Sequence, residues 1–177
     1  MIELLMVILA LTLIAGIVYV TWEAVLPRTQ LTTAVRELAA VVQETRSDAV
    51  SRGAPYTIEY YFESDATHPR GYRVITPFRA GGGGGLAAAD DQRLTLAWNP
   101  LPDNIEFKRI VVDGIDHTRG RCEVYFDPRG SASDHSIVLE QKPYGHFYTI
   151  EVQALTGLIQ YHEGEFAREP PKESDFH

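Results

Sequence analysis

The sequence has little cysteine and little positive charge. Cys122 is the one cysteine among 177 residues, so no disulfide can form within the chain and no cysteine cluster can hold zinc. Lys and Arg number 16 against 24 Asp and Glu, a formal net charge of −8, and this surplus of negative charge disfavours binding to nucleic acid. We therefore expect a fold that is stabilised by packing, with no metal, no cofactor and no nucleic-acid partner.

A long uncharged run stands at the start of the chain. No residue from Leu4 to Trp22 is charged, and about 20 residues at ~1.5 Å each cross the ~30 Å hydrocarbon core of a bilayer as a helix. The first three residues include no Lys or Arg, unlike the start of a cleaved signal peptide. The sequence therefore predicts a retained transmembrane half of a long helix over residues 1–26.

Glu3 stands directly before this run, and its position has two interpretations. A carboxylate at the helix N-terminus can lie among the lipid headgroups, where the helix dipole favours negative charge. Alternatively, Glu3 lies inside the edge of the bilayer and pairs with a cation of another subunit, since an unpaired buried carboxylate costs several kcal/mol by rough scales. The second interpretation makes the helix an assembly element.

The spacing of apolar residues predicts an amphipathic second half of the helix over 27–53. Pro27 is expected to bend the helix without ending it, whereas Gly53 followed by Pro55 is expected to end it. A period of three to four residues is typical of one helix face. We call this face the apolar stripe, and its members are Leu31, Val35, Leu38, Val42, Thr45 and Ala49.

From residue 56 onward the sequence predicts short strands separated by turn residues. The expected strands are 56–63, 71–78, 93–98, 105–112, 121–126, 135–141, 146–154 and 157–163. The alternation of apolar and polar residues over 148–153 predicts that Thr149 and Glu151 face water. The predicted fold class is therefore α+β, with an antiparallel β domain over 56–162 that packs on the apolar stripe.

Two turns between the strands have a recognisable composition. Asp127, Pro128, Arg129 and Gly130 suit the four positions of a type I turn. Thr156 and Gly157 predict a tight reversal between the last two strands.

Two further segments lack the pattern of helices and strands. The glycines of 81–85 predict a flexible loop, since the Gly-Lys-Ser/Thr ending of a phosphate-binding loop is missing. The charged, proline-bearing segment 163–177 is expected to form a flexible acidic tail.

The sequence offers no convincing catalytic or metal-binding set. Catalytic triads are built from groups that converge in space, so adjacency in the chain is no argument for one. Isolated histidines and a pair of acidic residues likewise lack the spacing of zinc and calcium ligands. The residues considered for such roles are Ser131, Ser133, Asp134 and His135 for hydrolysis, His146 and His162 for zinc, and Asp90 and Asp91 for calcium.

Four stretches together resemble the type IV pilin-like superfamily. They are IELLMVILALTLIAGI, VRELAAVVQETRSDAVSRGAPYTI, FDPRGSAS and YTIEVQALTGLIQY, and in this order they are most similar to H-type minor pseudopilins and FimT-like minor pilins. The resemblance implies a structural subunit of a type II secretion pseudopilus, without enzymatic activity, that assists assembly or capping of the filament. It also implies that Glu3 neutralises the terminal amine of a neighbouring subunit.

The resemblance further implies a location and a set of partners. The expected location is the bacterial inner membrane, crossed once, with the β domain in the periplasm. The expected partners are the major pseudopilin, other minor pseudopilins and the inner-membrane assembly platform. Family members begin with a short leader, which Met1 does not provide, so we expect the true start to lie upstream and prepilin peptidase to be a partner.

The alternative function is that of a FimT-like minor pilin in DNA uptake or pilus assembly. DNA uptake needs a cationic patch, and Arg119 and Arg121 form only a small local basic cluster. We therefore favour the secretion role.

Overall fold

The first element is a single long helix. The computed structural model describes residues 2–64, 68–81, 84–154 and 156–167, with the backbone alone for residues 5 and 17–28. Helix α1 runs from Ile2 to Arg52 and continues through Pro27. Where side chains are described, no helix is both long enough and apolar enough to cross a membrane. The bend at Pro27 and the transmembrane half over 1–26 stay predictions.

The end of α1 is set by Gly53. Its φ of 62° lies in the left-handed region, which glycine adopts without strain. The Gly53 N–H donates to the Val50 carbonyl at 3.3 Å, and the Ala54 N–H donates to the Ala49 carbonyl at 3.2 Å. This pair of hydrogen bonds is the Schellman arrangement, and it satisfies carbonyls that the last helical turn leaves free.

In the described part of the chain, ten strands form two antiparallel sheets that pack with the helix. The first sheet has the order β3-β2-β1-β7, with β4 also paired to β2, and the second has the order β10-β9-β8-β5-β6. The prediction of an antiparallel β fold with a helix is therefore confirmed. The strands are β1 Tyr56–Tyr61, β2 Gly71–Arg79, β3 Arg93–Thr95, β4 Asn99–Pro100, β5 Ile105–Val112, β6 Ile115–His117, β7 Arg121–Phe126, β8 His135–Gln141, β9 His146–Val152 and β10 Ile159–Glu163.

The core lies between α1 and the inner faces of both sheets. All six members of the apolar stripe are buried, and α1 contacts β1 and β7 of the first sheet and β8 and β9 of the second. The largest fully buried side chains of the sheets include Tyr60, Phe126, Leu139 and Ile150, which belong to the same core as the apolar stripe. The residues from Leu31 onward therefore hold the two sheets together around one helix.

The prediction that one side of β9 faces water is wrong. Thr149 and Glu151 are both buried, because residues 164–167 fold back across that side of the second sheet. The Thr149 hydroxyl donates to the Gly164 carbonyl at 2.8 Å and accepts a hydrogen bond from the Phe166 N–H at 3.0 Å. The His162 ring lies 3.1 Å from the Glu151 carboxylate and stacks on Phe166.

Two predicted flexible segments are described only in part. Residues 163–167 of the predicted acidic tail include a packed stretch against β9, and residues 168–177 lie outside the described residues. In the glycine loop, residues 82 and 83 also lie outside them, and Gly81 and Gly84 have φ values of 99° and 65°.

Candidate assembly surfaces

The N-terminal half of α1 presents apolar side chains that its own chain does not cover. Among the described side chains from Ile2 to Ile14, nine large apolar ones are between 49% and 77% exposed. A helix that is apolar on all sides is typically buried, either in a large core or in a membrane. Glu3 is the acidic residue of the first helical turn and is exposed. This half of the helix therefore needs a partner surface, and Glu3 lies at its tip.

The turn predicted at Asp127 forms next to the helix. The Gly130 N–H donates to the Asp127 carbonyl at 2.9 Å, and the Arg129 N–H donates to the Asp127 carboxylate at 2.7 Å. On the helix side, Arg46 Nε donates to the Gly130 carbonyl at 2.8 Å. The turn after β7 is thus tied to the polar side of α1.

The reversal between β9 and β10 meets the same arginine. It closes over 153–158, where the Gln153 N–H donates to the Leu158 carbonyl at 3.0 Å and the Gly157 N–H donates to the Gln153 carbonyl at 2.8 Å. Thr156 and Gly157, where the sequence predicts a tight reversal, lie within this loop. Gly157 has a φ of 61°, and a Cβ there would overlap the Arg46 guanidinium.

The structure thus brings together two turns that the sequence places far apart. We call Arg46, the 127–130 turn and the 153–158 loop the Arg46 junction. The Ala132 N–H donates to the Ala154 carbonyl at 3.0 Å, which also joins the segment after the first turn to the second loop. Arg46 lies off the apolar stripe, so no local pattern in the sequence indicates its role. The junction links α1 to one loop from each sheet.

A charged cleft of about 480 Å³ lies on the outer face of the first sheet. At its floor the Glu59 carboxylate, whose side chain is only 4% exposed, pairs with Arg73 and with Arg121, the latter at 3.3 Å. Arg121 also pairs with Glu123 at 3.2 Å. Half of the predicted basic cluster is therefore engaged with carboxylates of its own sheet, which leaves little free positive charge for a phosphate backbone.

The burial of Glu59 could not be read from the local sequence. The alternation along β1 places Glu59 on the outer face, where a charged residue normally meets water. Its burial depends on arginines supplied by β2 and β7, which are distant in the chain. A buried carboxylate of this kind needs such partners, because desolvation of an unpaired charge is costly.

The residues considered for hydrolysis form a backbone-linked turn. His135 is buried, and its Nδ1 lies 2.7 Å from the Ser133 carbonyl; since a carbonyl only accepts, Nδ1 carries the proton. Burial lowers the pKa of His135. The Asp134 N–H donates to the Asp113 carboxylate at 3.0 Å. This geometry holds the loop before β8 in place, and the histidine contact is to a carbonyl and not to a serine hydroxyl.

Three of the residues considered for metal binding make contacts with other side chains. Asp90 pairs with Arg93 at 2.9 Å, and His162 pairs with Glu151. His146 stacks against Tyr144 with ring centroids 6.3 Å apart. Within 2–64, 68–81, 84–154 and 156–167, no three His, Cys, Asp or Glu side chains are grouped so that they could hold a metal ion.

Comparisons with known proteins add one family match and one structural likeness. Residues 34–156, more than half of the chain, match the family model described as type II transport protein GspH. A comparison with curated protein sequences finds no match. Among solved structures, the chain is similar to the minor pseudopilin EpsH from the type 2 secretion system of Vibrio cholerae, with a TM-score of 0.48 and 9% identity over 75% of this chain and 94% of that one.

Proposed function

The chain belongs to the type II transport protein GspH family, and on this premise we propose that it is a minor pseudopilin of type II secretion, held and assembled as follows. The N-terminal half of α1 anchors the subunit in the bacterial inner membrane, with the β domain in the periplasm. During assembly the same half leaves the lipid and packs among the helices of the pseudopilus. The subunit assists assembly or capping of the filament and carries out no chemical step.

The observation that carries this proposal is the exposed apolar surface from Ile2 to Ile14. Burial of a large apolar side chain is worth about 1.5–3 kcal/mol, and each of these side chains is already partly covered. The nine together offer on the order of 10 kcal/mol before the cost of association is subtracted. That amount is enough to hold the segment in a bilayer or among neighbouring helices, and too much to leave in water.

Glu3 can fix the axial position of this apolar helix against its neighbours, which apolar contacts alone would not specify. An unpaired carboxylate inside an apolar helix bundle costs several kcal/mol by rough scales. The terminal amine of a neighbouring subunit would neutralise this carboxylate. If the helix were displaced along the bundle, the amine would be out of reach and the charge would stay unpaired. We therefore assign Glu3 the role of selecting the correct axial position of the subunit against its neighbour.

The partners follow from the family and from the location. The chain interacts with other pseudopilins of the secretion system, and we propose that these include the major pseudopilin. The inner-membrane assembly platform would extract the subunit from the membrane, and prepilin peptidase would act on a leader if translation begins upstream of Met1.

The test is incorporation of a Glu3→Gln variant into pseudopili. Glu44→Gln is the matched control, because Glu44 is also exposed on α1 but lies in the half that carries the β domain. We expect Glu3→Gln to reach the membrane normally and to lose about tenfold or more in incorporation, equivalent to about 1.4 kcal/mol or more. Glu44→Gln should incorporate normally. Equal incorporation of the two variants would contradict the role of Glu3.

A further inference from the structure

Three segments form the end of the β domain that lies nearest to the N-terminal half of α1, which we call the apolar half. We call residues 68–70, 99–104 and 142–145 the rim. The Asn104 amide donates to the Gln30 side chain at 2.9 Å, which attaches the rim to the helix. The Lys142 N–H donates to the Asn104 carbonyl at 2.8 Å, and the Leu101 N–H donates to the Arg70 carbonyl at 2.9 Å. The rim is therefore one connected surface.

The position of the rim along α1 sets its height above the membrane. If the apolar half ends at residue 26, Gln30 lies about 6 Å further along the axis, at ~1.5 Å per residue. The headgroup layer on each side of a bilayer is about 5–8 Å deep. The rim therefore lies at the level of the headgroups. The Arg46 junction, which lies at the other end of the domain, is about 24 Å further along the helix.

The charges of the rim are of both signs. Arg70 and Lys142 both pair with the Glu106 carboxylate and are 33% and 59% exposed at their side chains. Asp103, on another segment of the rim, is also exposed. The hydrogen bond with Glu106 raises the pKa of Lys142, so Lys142 stays charged at neutral pH. The rim can therefore meet a phosphate and an ammonium group at the same time.

The uncharged part of the rim also suits a membrane interface. Tyr144 is 52% exposed, and aromatic residues and long cationic side chains are enriched where protein meets headgroups. A shallow depression of about 560 Å³ is lined by Gln30 and the rim residues Pro69, Pro100, Leu101, Pro102, Asp103 and Asn104. Its three prolines have no N–H group that would be left without a partner on contact with lipid.

We propose that the rim docks on zwitterionic phospholipid headgroups while the subunit waits in the membrane. Arg70 and Lys142 contact the phosphate, and Asp103 contacts the ammonium group of the same or a neighbouring lipid. A purely anionic surface would be a poorer partner, because Asp103 and the net charge of −8 would be repelled by it. This inference rests on the proposed anchoring of α1 and goes beyond it, since docking fixes the height and tilt of the β domain.

The experiment measures the depth of three positions in the full chain. A fluorophore is attached to Leu9→Cys in the apolar half of α1, to Pro102→Cys in the rim, or to Arg129→Cys in the exposed turn of the Arg46 junction. Cys122 is buried and serves as an unlabelled background. Each protein is reconstituted into phosphatidylethanolamine and phosphatidylcholine vesicles that carry a nitroxide quencher either at the headgroup or in the middle of the acyl chain.

Docking and anchoring give separate results in this experiment. We expect the headgroup quencher to act at least about threefold more strongly on the Pro102 label than on the Arg129 label, and the acyl-chain quencher to act on the Leu9 label. Equal quenching at Pro102 and Arg129, with the Leu9 label quenched, would overturn docking and leave anchoring intact. If neither quencher acts on the Leu9 label, both docking and anchoring are refuted.

A second set of variants tests the chemistry of the contact. The double variant Arg70→Gln and Lys142→Gln should reduce headgroup quenching of the Pro102 label by about half or more. The control is Lys108→Gln, because Lys108 is also exposed and paired with a carboxylate but lies within β5. No difference from the control would overturn phosphate contact. Shielding of the Pro102 label by added major pseudopilin, without quenching in vesicles, would instead make the rim a contact between subunits.

Discussion

Gly157→Ala should destabilise the β domain by more than the backbone strain of placing alanine at a positive φ. The φ of 61° at Gly157 is unfavourable for alanine by about 1–2 kcal/mol. The new methyl group would also overlap the Arg46 guanidinium, which would have to leave the Gly130 carbonyl. A hydrogen bond to a charged group is worth about 1.5–3 kcal/mol. Because part of that bond can re-form with water, we expect a total loss of about 2–4 kcal/mol.

The matched control is Gly145→Ala, which has the strain without the overlap. Gly145 has a φ of 64° with nothing within 4 Å of an added Cβ, so its variant should lose only about 1–2 kcal/mol. Unfolding of each full-length variant in urea gives the two free energies, and the excess for Gly157→Ala should be about 1–2 kcal/mol. In an Arg46→Met background this excess should disappear, as measured by a double-mutant cycle. An excess that persists without Arg46 would refute the junction.

Three further outcomes follow from buried polar groups. Glu59→Gln should lower the free energy of unfolding by about 3 kcal/mol, because it leaves the paired arginines without their carboxylate. The control Glu123→Gln should lower it by no more than about 1 kcal/mol. Similar losses for the two variants would refute the role of the Glu59 ion pairs in the cleft. Burial lowers the pKa of His135, so as pH falls below about 6.5 the unfolded chain takes up a proton before the folded chain does. The free energy of unfolding should therefore fall between about pH 6.5 and the folded pKa, by up to about 1.4 kcal/mol per pH unit more than in His135→Phe. Parallel curves of stability against pH for the two proteins would contradict this. Burial raises the pKa of Cys122 to about 11. At about pH 8 its reaction with maleimide should therefore be at least about 100-fold slower in the folded chain than in the chain unfolded by urea. Equal rates would show that the thiol is accessible in the folded chain.

The regular parts of the fold could be predicted because their signals are local. The strands Ile105–Val112, Arg121–Phe126 and His135–Gln141 have the bounds that the apolar pattern and turn residues indicate. The strands β4 and β6 were missed, because two or three residues are too few to show alternation. The water-facing side of β9 was wrongly predicted, because a segment that follows β10 covers it.

The features that hold the candidate surfaces together depend on distant contacts. Arg46 meets Gly130 and Gly157, which lie more than eighty residues further along the chain, so nothing near Arg46 in the sequence indicates its role. Glu59 is similar, since its arginines come from two other strands. By contrast, the apolar run and the acidic residue before it are visible in the first few residues of the sequence.

The most direct test is the composition of native pseudopili. Pseudopili purified from the cell envelope can be digested, and the amount of this chain relative to the major pseudopilin can be measured by quantitative mass spectrometry. We expect the chain to be present as a small, reproducible fraction of the filament and to be lost in the Glu3→Gln variant. Its absence from filaments, while it remains abundant in the inner membrane, would contradict its function as an assembled minor pseudopilin.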